Sequence, residues 1–223
     1  MHPRLGASHL PRPKHRSGVT ASEWCASDRY AALGAAAAYV ALGVVAARLP
    51  TAGEGEAFRM VNHESDGAAV LRLPQQLGTP WVPPALAAVG LLSHRPHLGV
   101  TAALALPVEK ALEVGLKKVV RRRRPAQVDP DADLHDDAPT RGPSYPSGHV
   151  AIAFASALLA APYLPRVSAP GVAGLAGVVS LVRVRQGAHF PLDTAGGALL
   201  GWSVASALYA VLGRPAAPRR FGR

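Results

Sequence analysis

Apolar stretches separated by short polar segments make up most of the chain. Residues 30–47, for example, carry no charge over about the 17 to 25 residues that a helix needs to cross the hydrocarbon layer of a bilayer. The pattern predicts an all-α fold, an integral membrane bundle of about six transmembrane helices, at residues 30–47, 73–92, 98–120, 150–164, 167–182 and 194–212. Four prolines interrupt the second stretch, so its first half is expected to be irregular or interfacial.

Polar segments flank this predicted transmembrane domain, which is assigned to residues 29–213. Residues 1–28 are rich in Pro, Ser, Arg and His and predict a basic, mobile tail without the features of a secretory signal. Residues 214–223 form a second basic tail, and residues 58–70 are amphipathic, as expected of a segment lying along the surface. The basic residues of both tails and of the short turns fall on one side, so the positive-inside rule predicts cytoplasmic termini.

The formal net charge of +10 would suggest a nucleic-acid partner in a soluble protein. Here the basic residues gather in the tails and in the four consecutive arginines at 121–124, a pattern that favours a membrane surface or a polyanionic ligand, so no nucleic-acid partner is predicted. Cys25 is the only cysteine, which excludes an intrachain disulfide and a multi-cysteine metal site. Five aspartates at 129–137 lack the spacing and central glycine of a calcium loop, so a solvated loop that partly neutralises the arginines is preferred.

Ionisable residues also occur within the third predicted span. Glu109, Glu113 and Lys117 are spaced four residues apart, which places them on one face of a helix, where Glu before Lys is the favourable order of an i,i+4 pair. Two interpretations remain open for the glutamates. They face the interior of the bundle or a watery cavity, or this end of the helix is already outside the bilayer and the face is solvated.

Three polar segments are predicted to meet at one end of the bundle, because an even number of spans separates them. They are residues 117–125, 146–149 and 183–193. Lys117, Arg124 and Arg183 would neutralise the oxygens of a phosphate group through charge-assisted hydrogen bonds. The backbone donors of Ser147 and Gly148, at the start of the fourth helix, suit the same anion.

A nucleophile and an acid are also present in these segments. His189 would attack phosphorus to form a phosphohistidine, and Asp193 would hold the other ring nitrogen. His149 would protonate the leaving oxygen and then activate water. No metal and no cofactor are predicted, because the cations take over the role of a metal ion. Lys118 could replace Lys117 if the helix register shifts by one, and residues 121–123 either recruit an anionic headgroup or anchor the chain at the interface.

The motifs resemble those of the type 2 phosphatidic acid phosphatase (PAP2) superfamily, which includes undecaprenyl diphosphate phosphatases and vanadium haloperoxidases. Its first motif, Lys, six residues, Arg-Pro, is matched by Lys117 with Arg124 and Pro125. Its second, Pro-Ser-Gly-His, is residues 146–149, and its third is matched by Arg183, His189 and Asp193, with Val182 in place of the usual Ser. The resemblance covers roughly residues 70–212 and implies a PAP2 or haloperoxidase-like helical core with the same residue roles.

The resemblance implies a metal-independent phosphatase of a lipid phosphate, with its site on the outer face of a bacterial plasma membrane. Candidate substrates are polyprenyl phosphates and diphosphates, phosphatidic acid, phosphatidylglycerophosphate and prenyl-linked sugar phosphates, and the arginine run leans towards a diphosphate. A vanadium haloperoxidase is an alternative, although those relatives are soluble. A lipid-binding or transport protein with a relict site is another, against which the intact catalytic residues argue. The oligomeric state is open.

Overall fold

The computed structural model describes residues 21–47, 52–63, 73–135, 138–165 and 169–215. Within these ranges all regular secondary structure is helical, which confirms the predicted fold class. The helices longer than one turn are α1 (Ala21–Ala47), α2 (Ala52–Asn62), α3 (Val82–Leu92), α4 (Pro96–Val120), α5 (Gly148–Ala160), α6 (Ala169–Arg185) and α7 (Pro191–Leu212).

Each of the six predicted spans coincides with a helix, but the helices differ in length. Ala26–Ala47 and Pro191–Leu212 are long and apolar enough to cross a bilayer, whereas Val82–Leu92 and Gly148–Tyr163 are shorter apolar helices. The second predicted span is shortened because prolines fit best in the first turn of a helix, and α3 begins at the residue before two of them. Its first half instead contains helical residues 73–75 and then one 3-10 turn, Gln76–Gly78.

The segments flanking the bundle also differ from the predicted boundaries. Helix α1 already begins at Ala21, inside the segment assigned to the N-terminal tail, and residues 1–20 lie outside the described residues. The amphipathic segment at 58–70 is helical up to Asn62, and residues 64–70 of it are also outside the described ranges. The C-terminal tail is described only to residue 215.

Helix α7 lies at the centre of the bundle and packs against α1 and α5. Its approach to α5 depends on two glycines, because a Cβ at Gly197 would lie 2.4 Å from the carbonyl oxygen of Ser147, and a Cβ at Gly201 would lie 2.4 Å from that of Ala151. Small residues four apart allow two helix backbones to approach this closely inside a membrane. The glycines therefore fix the first turn of α5 against α7.

Contacts between helix ends define two ends of the bundle. Arg214 forms a forked ion pair with Asp28 near the start of α1, with Nε 2.7 Å from Oδ2, and His97 Nε2 lies 2.7 Å from the carbonyl oxygen of Gly213. These contacts gather the start of α1, the start of α4 and the end of α7 at what we call the terminal end. The end of α4, the start of α5 and the start of α7 lie at the opposite end, called the site end.

Candidate active site

Backbone hydrogen bonds join the three predicted polar segments at the site end. The amide of Ser147 donates to the carbonyl of Asp193 at 2.9 Å, and the amide of Ser144 donates to that of Arg122 at 2.8 Å. Arg124 Nη1 donates to the carbonyl of Ala188 at 2.8 Å. The structure therefore brings together the segments that the sequence analysis placed at one end of the bundle.

His189 and Asp193 are positioned by the start of α7. Asp193 lies in the first turn, where its Oδ2 accepts a hydrogen bond from the amide of Phe190 at 2.8 Å and caps the helix. His189 Nδ1 faces the same Oδ2 at 3.6 Å. This separation is longer than a hydrogen bond, and Nδ1 has no hydrogen-bond partner among the described residues. Asp193 is thus placed to orient the imidazole of His189.

Burial keeps the imidazole of His189 neutral. The side chain is only 4% exposed, and burial lowers the pKa of His189 from 6.5 to about 4, with Arg124 and Arg183 lowering it further and Asp193 opposing them. A charge in a low-dielectric site is costly, so the imidazole loses its proton more readily than it does in water. A neutral imidazole has a lone pair on one ring nitrogen, which is the form that can attack phosphorus.

The start of α5 carries two further polar side chains of the predicted site, those of Ser147 and His149. Ser147 is the N-cap of α5, and its Oγ is buried without a hydrogen-bond partner among the described residues. His149 is half-buried and interacts electrostatically with Arg183 and His189. The free N–H groups of a helix N-terminus attract anions. A buried hydroxyl without a partner at this position therefore indicates room for a ligand oxygen.

The three predicted phosphate-binding cations already have protein partners. Lys117 Nζ donates to Glu113 Oε1 at 2.6 Å. Arg124 donates to three backbone carbonyls, those of Arg141, Pro143 and Ala188, at 2.8 to 3.2 Å. Arg183 is buried and donates to Gln186 Oε1 at 2.8 Å. These contacts hold the cations in place, and Arg124 in particular ties the first segment to the third.

The acidic residues of α4 face the interior of the bundle. Glu109 and Glu113 are buried, at 1% and 5% exposure, so the interpretation of a solvated helix face is wrong. The Glu113 carboxylate pairs with Lys110 and Lys117 and lies against Gly148, where an added Cβ would be 2.5 Å from Glu113 Oε1. Of the two neighbouring lysines, Lys117 is half-buried against Glu113 and Lys118 is exposed, so the alternative register is not adopted.

The role of Arg122 was not predicted from the sequence, in which residues 121–123 form one basic run. In the structure Arg122 is buried, with Nη1 donating to Asp193 Oδ1 at 2.8 Å and Nη2 donating to Glu54. Burial opposes its charge, but Asp193 and Glu54 outweigh that effect and raise the pKa of Arg122. No spacing rule distinguishes Arg122 from its neighbours, because three consecutive arginines carry the same signal.

All three arginines of the run at 121–123 border a basic cavity. It has a volume of about 580 Å³ and is bordered by Lys117, Lys118, Arg121, Arg122 and Arg123, together with Val114, Gln127, Gly142 and Pro143. Because Lys117 belongs both to this cavity and to the predicted phosphate site, the two adjoin each other. The cavity offers cations to a second anionic group.

Within the described residues no cluster of three or more His, Cys, Asp or Glu side chains could hold a metal ion. Two aspartates of the acidic loop, Asp136 and Asp137, lie outside those residues. Val182, which replaces the usual Ser of the third motif, is fully buried. It contributes packing at a point where the family has a hydroxyl.

Comparison with known proteins agrees with this geometry. The sequence pattern of the PAP2 superfamily matches residues 97–215. A search of curated proteins found no match. Similar solved structures include LpxE from Aquifex aeolicus, with a TM-score of 0.62 at 24% identity over 70% of this chain and 93% of that one. The first transmembrane PAP2 type phosphatidylglycerolphosphate phosphatase from Bacillus subtilis has a TM-score of 0.61 at 21% identity, over 86% of this chain and 100% of that one. The chain therefore belongs to the PAP2 superfamily, and it shares its fold with these two solved structures.

Proposed function

We propose that this chain hydrolyses a lipid phosphate through a phosphohistidine formed on His189. The observation that carries the proposal is the position of His189, which is buried beside Asp193 at the point where the start of α7 is bonded to the start of α5. A structural histidine in such a place would be expected to have its ring nitrogens satisfied. Here Nδ1 has no hydrogen-bond partner among the described residues, and Arg124 and Arg183 are close enough to lower the pKa of the ring.

In the first step Nε2 of His189 attacks phosphorus. The Nδ1 proton is donated to Asp193 Oδ2, which offsets the positive charge that develops on the ring as the N–P bond forms. The bond between phosphorus and the lipid oxygen breaks, and His149, which takes up a proton when the anionic phosphate binds beside it, gives that proton to the lipid oxygen. Lys117, Arg124 and Arg183, with the backbone amides of the α5 N-terminus, stabilise the negative charge on the phosphoryl oxygens.

In the second step water replaces the lipid. His149, now neutral, takes a proton from the water as the water attacks phosphorus, and the N–P bond of the phosphohistidine breaks. Inorganic phosphate leaves, and His189 returns to its neutral form. The same cations serve both steps, so the reaction needs no metal ion for charge stabilisation.

The adjoining basic cavity favours a substrate with a second anionic group, such as a polyprenyl diphosphate. Phosphatidic acid, phosphatidylglycerophosphate and prenyl-linked sugar phosphates are the other candidates, and one of the similar solved structures is a phosphatidylglycerolphosphate phosphatase. From the basic residues of the terminal end and the positive-inside rule, we infer that the termini lie in the cytoplasm. The site end then faces the outer side of the membrane, where a headgroup can enter from the lipid.

The test is phosphate release in detergent and EDTA from a panel of these lipids. The wild type is compared with His189→Ala and with His94→Asn, a control in the α3–α4 turn, where the backbone φ of 53° suits an asparagine. We expect release by the wild type and the control but not by His189→Ala, and a phosphohistidine that is stable to alkali and labile to acid. Equal release by His189→Ala, or loss of activity in EDTA that a divalent ion restores, would contradict the mechanism.

A further inference from the structure

The geometry points to Glu54 as a positioning residue for phosphoryl transfer, acting through Arg122 on Asp193 and His189. The inference rests on the proposed function. Glu54 lies in the first turn of α2, outside residues 97–215 that match the PAP2 superfamily. Its role therefore concerns a part of this chain that the family resemblance does not cover.

Both oxygens of the Glu54 carboxylate are engaged at the site end. Oε2 accepts a hydrogen bond from Arg122 Nη2, and Oε1 accepts one from the backbone amide of Leu192 at 3.1 Å. Leu192 directly precedes Asp193, and Arg122 Nη1 bonds Asp193 Oδ1 at 2.8 Å. Glu54 is thus linked to Asp193 by two routes, one through the side chain of Arg122 and one through the backbone of the α7 first turn.

The charges explain why a second carboxylate is useful here. Arg122 and His189 compete for Asp193, since Arg122 binds Oδ1 and His189 faces Oδ2. A lone buried arginine would offset the negative charge that His189 needs when its ring becomes positive during attack. Glu54 balances Arg122, so that Asp193 keeps its charge for His189. Glu54, Arg122 and Asp193 are all buried, where such interactions are weakly screened.

Packing holds this arrangement rigid. The guanidinium of Arg122 lies over the ring of Phe190, 4.9 Å from its centroid, and Phe58 packs on the same ring at 5.1 Å. Glu54, Phe58 and Asn62 are the buried residues of α2, and their spacing of four puts them on one face. Asn62 completes the face by donating to the carbonyls of Asp133 and Arg185, each at 2.8 Å. The whole inner face of α2 therefore contacts the segments that carry the site.

The experiment compares Glu54→Gln and Glu54→Asp with the wild type in detergent, using the lipid that the wild type hydrolyses fastest. Glu56→Gln is the matched control, because Glu56 lies on the exposed face of the same helix. We expect kcat to fall about tenfold or more in Glu54→Gln, the usual effect of removing a partner that orients a reacting histidine. KM and the inhibition constant of inorganic phosphate should stay unchanged, because Glu54 does not touch the substrate.

Rescue by the conservative change separates this role from a structural one. Glu54→Asp keeps the charge and should retain more of kcat than Glu54→Gln, although their thermal midpoints in detergent are both lowered. If Glu54→Gln does not fold, a lowered kcat with unchanged KM in Glu54→Asp carries the test. Wild-type kcat in a folded Glu54 variant, or a rise in KM in place of a fall in kcat, would overturn the inference alone. A wild type that is inactive on every lipid would overturn the proposed function, and the inference with it.

Discussion

The close contact between α5 and α7 can be tested by adding one methyl group at Gly197. A Cβ there would lie 2.4 Å from the carbonyl oxygen of Ser147, about 1 Å short of the 3.4 Å at which ordinary contacts begin. The obstacle is backbone in the first turn of α5, so it cannot rotate away, and the two helices must separate. Overpacking of this kind costs about 1 to 3 kcal/mol.

The separation also displaces the reacting groups. The Ser147 amide is bonded to the Asp193 carbonyl, so moving the start of α5 changes the position of His149 relative to His189. A misplacement of about 1 Å can lower a rate about a hundredfold. Gly197→Ala is therefore expected to lower both kcat and the thermal midpoint.

The matched control is Gly174→Ala, on an exposed position of α6 where nothing lies within 4 Å of the added Cβ. Alanine in a helix interior is more favourable than glycine by about 0.5 to 1 kcal/mol, so this variant should be as stable as the wild type or more so. Both variants would be assayed for initial rates of phosphate release and for thermal unfolding in detergent. A Gly197→Ala protein with wild-type kcat and midpoint would refute the argument that these glycines set the geometry of the site.

Two further predictions concern the charges of the site. The first prediction follows from the pKa of His189, which is lowered to about 4. With an ester whose leaving group needs no proton, the single-turnover rate of phosphoenzyme formation depends on neutral His189. This rate should decline only as the pH approaches 4. The free energy of unfolding should fall earlier, as the pH drops from 6.5 towards 4, since over this range the unfolded chain binds a proton that the folded chain does not. A half-maximal rate near pH 6.5 would show that His189 is not held neutral. Glu113→Gln removes an anion that pairs with Lys117 and lies against Gly148, so inorganic phosphate should inhibit this variant several-fold more tightly. Weaker inhibition would mean that Glu113 orients Lys117 and does not compete with the phosphate.

Local sequence patterns predicted the helices and the meeting of the three segments because both depend on spacing along the chain. Lys117 and Arg124 flank the end of one helix, and His189 and Asp193 flank the start of another, so each separation follows from the local sequence. The mechanism assigned to these residues stays a prediction. The helix lengths were harder to predict, because prolines at 83 and 84 both interrupt an apolar pattern and fit a helix start.

The role of Arg122 could not be read from the sequence for a conformational reason. Helix α4 ends at Val120, and Arg121 takes the left-handed conformation, with φ 47°, that glycine usually provides. The chain turns there, so that Arg122 points inward while Arg121 and Arg123 stay exposed. No glycine marks the turn, and Glu54 is distant in sequence, so neither partner of the ion pair has a local signal.

The pairing of Asp28 with Arg214 has a consequence for the direction in which the enzyme works. It places both ends of the described chain on the face of the bundle opposite His189. In a bundle that spans the bilayer, a lipid phosphate made on the side of the termini must first be carried across about 30 Å of hydrocarbon. Under the proposed function, hydrolysis would then release phosphate into the other compartment. Synthesis and removal of the phosphate would thereby be kept apart, and the reaction would consume only lipids whose headgroups have already crossed the membrane.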